Sequence, residues 1–514
     1  MGGVSSWSCH VGEDAQPICC ASSGQSKGDG LELNAKDLSP LPSGVESPEV
    51  RYDAQVTVDC NDVTFPSEHI FHNVAALAGR TVRLRNVYWN MEYLYAANLD
   101  MTNEMRHVLV HKNPQQPADD KKEWEVELVP KKTNQIRFRN IYFNREYMYS
   151  STLDATKATR RVLVHKNHKE RIGTKKDWEV ELVPGTTNKI RLRNIYWNRE
   201  CLYAAAMDQT KDSRMVLTHK DTSEPTSTEK DWQVELITKV GGASLCEIND
   251  QKMLRFLQAC LQTNPAWLGK VCDVAGAAAK ESGTICKPCP EMYTKLEVVR
   301  AWHVEHELQH GRYRLAALEL EQHARYLSGK LTPCELQSNA WASGLGLELN
   351  TNLNEALVFH GTTAKALVAT LSSGFNNCSS SGAFGYGTYL AEDAGQADQY
   401  CEVDVERSDN TLHKVLYAEG TEHPGNVCYM LVCQVLLGEP AMTLDGRSKT
   451  TGGDLWADAA TRRELGNVPN SMPPFAHHSL LVEAGSAGRR YRELVCFHSD
   501  RILIKYLIAY RRQP

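Results

Sequence analysis

The chain has 514 residues, 42% of them hydrophobic, and carries 57 Lys and Arg against 63 Asp and Glu, for a formal charge of −6. Such a length provides for two to four domains with substantial cores, and the mildly acidic balance removes any general attraction to nucleic acid. No apolar run is long enough to span a bilayer, and sixteen scattered cysteines without a secretory signal read as free thiols of an intracellular, cytoplasmic protein.

Residues 1–76 are expected to be a mostly disordered tail, Ser-, Gly- and Pro-rich over the first 50 and without periodicity. The chain begins Met1-Gly2-Gly3-Val4-Ser5-Ser6, which matches the N-myristoylation pattern with Gly2 as acceptor, and Cys9 stands close enough for a second acyl chain. One myristoyl chain binds a bilayer only marginally, so Cys9 would separate transient from stable attachment to a membrane surface.

Residues 77–239 contain an internal repeat. Arg85-Asn-Val-Tyr-Trp-Asn90 recurs as Arg139-Asn-Ile-Tyr-Phe-Asn144 and Arg193-Asn-Ile-Tyr-Trp-Asn198, a period of 54 that also relates Trp124, Trp178 and Trp232. Each copy reads as four short strands with a hairpin such as that through Asn198-Arg199, giving twelve strands. Three copies close a β-trefoil, whereas a propeller normally needs at least four blades. The likeness to lectin-type trefoil modules is architectural. The tryptophans read as core, and the repeated Arg, Asn and His residues either cap turns or form three equivalent sites. Protein and glycan are the expected ligand classes, and the interleaved charges argue against nucleic acid.

Residues 240–288 read as a helical connector, through Met253-Leu-Arg-Phe-Leu-Gln-Ala-Cys-Leu261 and the Ala-rich stretch 275–279. Cys286-Lys-Pro-Cys289 is a lone CxxC with no second pair to complete a zinc set. The segment 295–326 is expected to be helical, and within it His306-Glu307-Leu-Gln-His310 fits the H-E-x-x-H pattern of zinc metalloproteases, two histidines one turn apart around a glutamate base. No third ligand stands at the extended spacing, which leaves the metalloprotease as a remote alternative.

The richest chemistry follows. Val358-Phe-His-Gly-Thr362 is succeeded by Phe384-Gly-Tyr-Gly-Thr-Tyr-Leu-Ala-Glu392, by Ala397-Asp-Gln-Tyr-Cys401, by Tyr429-Met-Leu-Val-Cys-Gln-Val-Leu-Leu-Gly438 and by Tyr491-Arg-Glu-Leu-Val495. At these residues the region 289–514 resembles the poly(ADP-ribose) polymerase family of ADP-ribosyltransferases. The resemblance implies an α+β transferase domain and maps the family's His-Tyr-Glu triad onto His360, Tyr389 and Glu493. The expected whole is thus multidomain: an all-β triple repeat and an α+β transferase domain joined by a short helical segment.

By resemblance the co-substrate is NAD, with no metal, and ADP-ribose passes to protein acceptors, the protein itself among them. Loss of nicotinamide leaves positive charge on the ribose, which a carboxylate stabilises; Glu493 is placed there and as general base toward the acceptor. His360 would bond the adenosine ribose, and the backbone of Gly361 the carboxamide. Tyr389 and Tyr400 would sandwich the ring by stacking and cation–π attraction, and Thr362 and Gly382 complete the predicted binding set. Ala397 departs from the family, which usually has a serine hydroxyl there. The loop 376–382 contains no Lys or Arg, so phosphate contacts are expected from backbone and hydroxyl groups. A catalytically weak NAD- or ADP-ribose-binding scaffold is the competing reading. Both single-unit and polymer transfer are compatible with Glu493.

Overall fold

The computed structural model describes residues 74–113, 116–117, 120–166, 172–186, 188–263, 268, 293–327, 330–375, 381–404, 411–417, 423–483 and 491–514. The calls on Gly2, Cys9, the Cys286–Cys289 pair, the Ala-rich stretch and residues 376–380 of the polar loop 376–382 lie outside the described residues.

The 54-residue period is written into the strands. The first repeat supplies Thr81–Asn86 (β1), Glu92–Thr102 (β2), Met105–His111 (β3) and Trp124–Leu128 (β4). The second gives Gln135–Asn140 (β5), Glu146–Thr156 (β6), Thr159–His165 (β7) and Trp178–Leu182 (β8). The third gives Lys189–Asn194 (β9), Glu200–Thr210 (β10), Ser213–His219 (β11) and Trp232–Val240 (β12). Six of them close a ring, each pairing with the next in the order β1, β4, β5, β8, β9, β12 and back to β1. The hairpins β2–β3, β6–β7 and β10–β11 are tied to one another through β3, β7 and β11.

Trp124, Trp178 and Trp232 are fully buried inside this closed sheet. Their indole N–H groups donate to Leu94, Met148 and Leu202 carbonyls at 3.3, 3.4 and 3.3 Å. The repeated asparagines are equally internal. Oδ1 of Asn86, Asn140 and Asn194 accepts the amide three residues on, at 3.1, 3.1 and 3.2 Å, while Nδ2 donates to the carbonyls of Glu229, Lys121 and Lys175. They shape the loops in which Asn90-Met91, Asn144-Arg145 and Asn198-Arg199 hold positive φ. Repeated arginines lock neighbouring copies together: Arg106 bonds Glu146, Arg160 bonds Glu200 and Arg214 bonds Glu92, each lying over an aromatic ring.

The expected helical connector opens instead with a strand. After the turn at Gly241, Ala243–Glu247 (β13) pairs with β12 on one side and with Lys295–Glu305 (β14) on the other. Helix α1, Gln251–Cys260, follows and buries Leu254 and Leu257. The helix expected over 295–326 is likewise corrected: its first part is β14, and only Glu307–Tyr326 (α2) is helical. A bulge between Val298 and Arg300 shifts the inward positions of β14 by one and blurs its period of two.

The rest of the sheet comprises Glu355–Thr362 (β15), Thr388–Ala391 (β18), Cys428–Leu436 (β19), Pro440–Thr443 (β20), Ser479–Val482 (β21), Glu493–Cys496 (β22) and Ile502–Gln513 (β23). Ser381–Gly382 (β16) and Gly385–Tyr386 (β17) form a separate small hairpin. From β13 the order is β14, β23, β19, β15, β18, β22, β21, β20, antiparallel except for β20–β21. Every residue of β19 is buried, since apolar clusters cover both faces of the sheet. Helices Ala364–Ser373 (α3), Ala394–Asp398 (α4) and Thr411–Leu416 (α5) sit around β15 and β19.

Candidate active site

The register assembles the site. Phe359 on β15 lies opposite Ala391 on β18, and Ala391 lies opposite Glu493 on β22. Directly opposed residues share a face and alternate residues return to it, so Gly361, Tyr389 and Glu493 belong to one face of three adjacent strands. Phe359–Ala391 is the sole registered pair between β15 and β18. Where the pairing stops, His360 Nδ1 donates to the Tyr389 carbonyl at 2.9 Å. A carbonyl can only accept, so the proton sits on Nδ1 and Nε2 remains an acceptor. Burial holds the His360 pKa below the ordinary histidine range, which keeps the ring neutral near pH 7.

Gly361 is required by packing. A Cβ here would overlap the Ala397 carbonyl and crowd Cys401 Sγ, so glycine alone lets the last turn of α4 rest on β15. The Ala397 carbonyl also accepts the Tyr400 amide at 3.1 Å. The Ala397 methyl is 1% exposed and belongs to an apolar cluster with Leu357, Ala394 and Cys401. Tyr400, by contrast, is 55% exposed: its ring is a surface beside the strand end, not part of the core. Thr362 is buried at the end of β15.

Tyr389 is held by its own glycine-rich turn. Its hydroxyl accepts the Phe384 amide at 2.9 Å and donates to the Gly385 carbonyl at 3.0 Å. A Cβ on Gly382 would overlap the ring, and Gly385 has φ 87°, so both positions need glycine. Glu493 is 6% exposed. The adjacent Arg492 is engaged by Glu392 and Glu483 at 3.4 and 3.1 Å.

Sequence reasoning missed two cations near the hairpin. Arg462 Nη1 donates to the Ala383 carbonyl at 3.3 Å, and the Arg463 guanidinium lies 4.8 Å from the Tyr386 ring centre. They come from a segment some 79 residues downstream, beyond the reach of any local motif. It also missed a buried group of Asp404, His413 and His423, whose spacings match no standard ligand pattern.

The H-E-x-x-H segment does not form a metal site. His306 is the N-cap of α2, its Nδ1 accepting the Gln309 amide and its Nε2 set against the Ser372 carbonyl at 3.2 Å. His310 is exposed.

The family described as "Poly(ADP-ribose) polymerase catalytic domain" matches residues 281–512. No curated protein matches the chain.

Proposed function

We propose, from the premise that residues 281–512 are a poly(ADP-ribose) polymerase catalytic domain, that this protein cleaves NAD and transfers ADP-ribose to protein acceptors, itself included. Membership of that family supports NAD-dependent ADP-ribosyl transfer in general. The protein acceptor and the roles of individual residues are our own reading.

One observation carries it: a buried carboxylate, Glu493, shares a sheet face with Gly361 and Tyr389 at the point where β15 and β18 part. The donor set suits NAD. Beyond Phe359 the β18 side of β15 has no registered strand pair among the described residues and would present main chain to a carboxamide, Tyr389 and Tyr400 would offer ring faces to nicotinamide, and His360 Nε2 can accept a hydrogen bond from a ribose hydroxyl. Glu493 would stabilise the charge that develops on the ribose as nicotinamide leaves and then take the acceptor's proton. The closed ring with three linked hairpins supports reading residues 77–239 as a β-trefoil, to which we assign a protein or glycan ligand.

The test is incubation of the full chain with labelled NAD, wild type beside Glu493→Gln. The amide keeps shape but removes charge from the transition state, so turnover should fall by roughly 10²–10³ with NAD affinity nearly unchanged. A sharp labelled band reports single-unit transfer and a smear reports polymer. Self-modification of the variant at the wild-type rate would sink the assignment.

A further inference from the structure

Asp404 is buried in the segment just after Tyr400. Among the described residues the basic side chains facing it are two imidazoles, His413 on α5 and His423 ahead of β19. One donor atom from each residue lies within 4.8 Å of the other two. Oδ2 of Asp404 is in direct contact with His413 Nε2 and stands 3.7 Å from His423 Nε2, and the imidazole centres are 4.2 Å apart. An ionised carboxylate in this setting needs a positive partner, and no Lys or Arg is paired with it among the described residues.

The surroundings hold the carboxylate as an outer layer holds a metal ligand. The Tyr429 hydroxyl donates to Asp404 Oδ2 at 3.2 Å and itself lies 3.2 Å from the Tyr417 hydroxyl. The Asp404 amide donates to the Val427 carbonyl at 2.8 Å, fixing the residue against the entry to β19. Two imidazoles and one carboxylate form a borderline donor set that suits zinc, with water as a fourth ligand.

We propose that Asp404, His413 and His423 bind a divalent transition-metal ion, zinc by donor chemistry, which clamps the segment after Tyr400 to α5 and to the start of β19. The inference does not depend on the transferase reading. It carries two structural demands. His423 Nδ1 accepts the Gly425 amide at 3.0 Å, whereas the tautomer that coordinates through Nε2 carries its proton on Nδ1. Loading must therefore turn over that contact and also displace the proton held between His413 Nε2 and Asp404 Oδ2.

The experiment is metal analysis of the full-length protein, purified without chelator and again after incubation with zinc alone, beside His423→Gln and a His306→Gln/His310→Gln double variant. His423→Gln leaves the Asp404–His413 contact in place, so loss of the fold should not obscure the result. The expected outcome is one zinc per chain in wild type and in the double variant and a several-fold loss in His423→Gln. Chelator should lower the wild-type Tm and added zinc should restore it. Substitution with cobalt should give the visible absorption of a four-coordinate site, reduced in His423→Gln. A wild-type chain that takes up neither metal and shows no Tm response to zinc overturns the proposal. So does metal retained by His423→Gln but lost from the double variant.

Discussion

In the proposed donor site Tyr400 would supply one ring face to nicotinamide. Its ring is exposed while the Ala397 carbonyl fixes its backbone, so Tyr400→Ala removes a ring face without disturbing a core. We expect the KM for NAD to rise roughly 2- to 30-fold, the equivalent of about 0.5–2 kcal/mol of stacking and cation–π attraction, with little change in Tm; steady-state kinetics on a minimal acceptor would measure it, and unchanged KM would remove Tyr400 from the site. The candidate residues were legible in the sequence because the glycines and aromatics stand in fixed local order. What could not be read was why Gly361 is glycine: the constraint is the Ala397 carbonyl, 36 residues away in the chain and in contact only through the fold. The same limit hid Arg462, Arg463 and the Asp404 group, which the sequence scatters over separate segments.

Among elements, the triple repeat was the more legible half. Identical hairpins need identical buried asparagines and left-handed turn residues, so the 54-residue period appears in the letters before it appears in space. The strand β14 was illegible for the opposite reason: its bulge displaces the inward pattern, leaving a run that mimics helix until β13 and β23 are placed beside it. The ring also predicts the cost of losing one tryptophan. Trp178→Ala should destabilise the protein by about 3–5 kcal/mol, and Trp124→Ala by a similar amount, because each indole fills the same interior and satisfies an equivalent carbonyl. Denaturant unfolding would check this; a loss under 1 kcal/mol at either position would show that the interior can collapse around the gap.

For the whole molecule, acid is the expected weakness. Burial holds the His303 and His477 imidazoles down at about 4 and His478 at about 2. Their folded pKa values lie below the ordinary value of about 6.5, so the unfolded chain binds more protons, and the stability present above pH 6.5 drains as pH falls from there through 4. Glu305 adds to this at lower pH: burial would raise it, but Arg83 and Lys122 outweigh burial and hold it at about 2, so its contribution is lost between about 4.3 and 2. Tm measured across pH 7 to 4 should therefore fall steadily, and a maximum near pH 5 would contradict the assignment. Among the described residues no helix is long and apolar enough to cross a membrane. The N-terminal acylation pattern makes its own prediction. Gly2→Ala should then release the protein from membranes and Cys9→Ser should do so in part, by fractionation; wild type wholly in the soluble fraction would end that reading. The unbroken passage of β12 into β13 and on to β14 and β23 has one more effect. Arg83 of the ring is bonded to Glu305 on β14 at 2.8 Å, so under the proposed function the module would serve as the handle of a caliper: an acceptor held there would meet the cleft at a set span, and the side chain that receives ADP-ribose would be chosen by its distance from the point of capture.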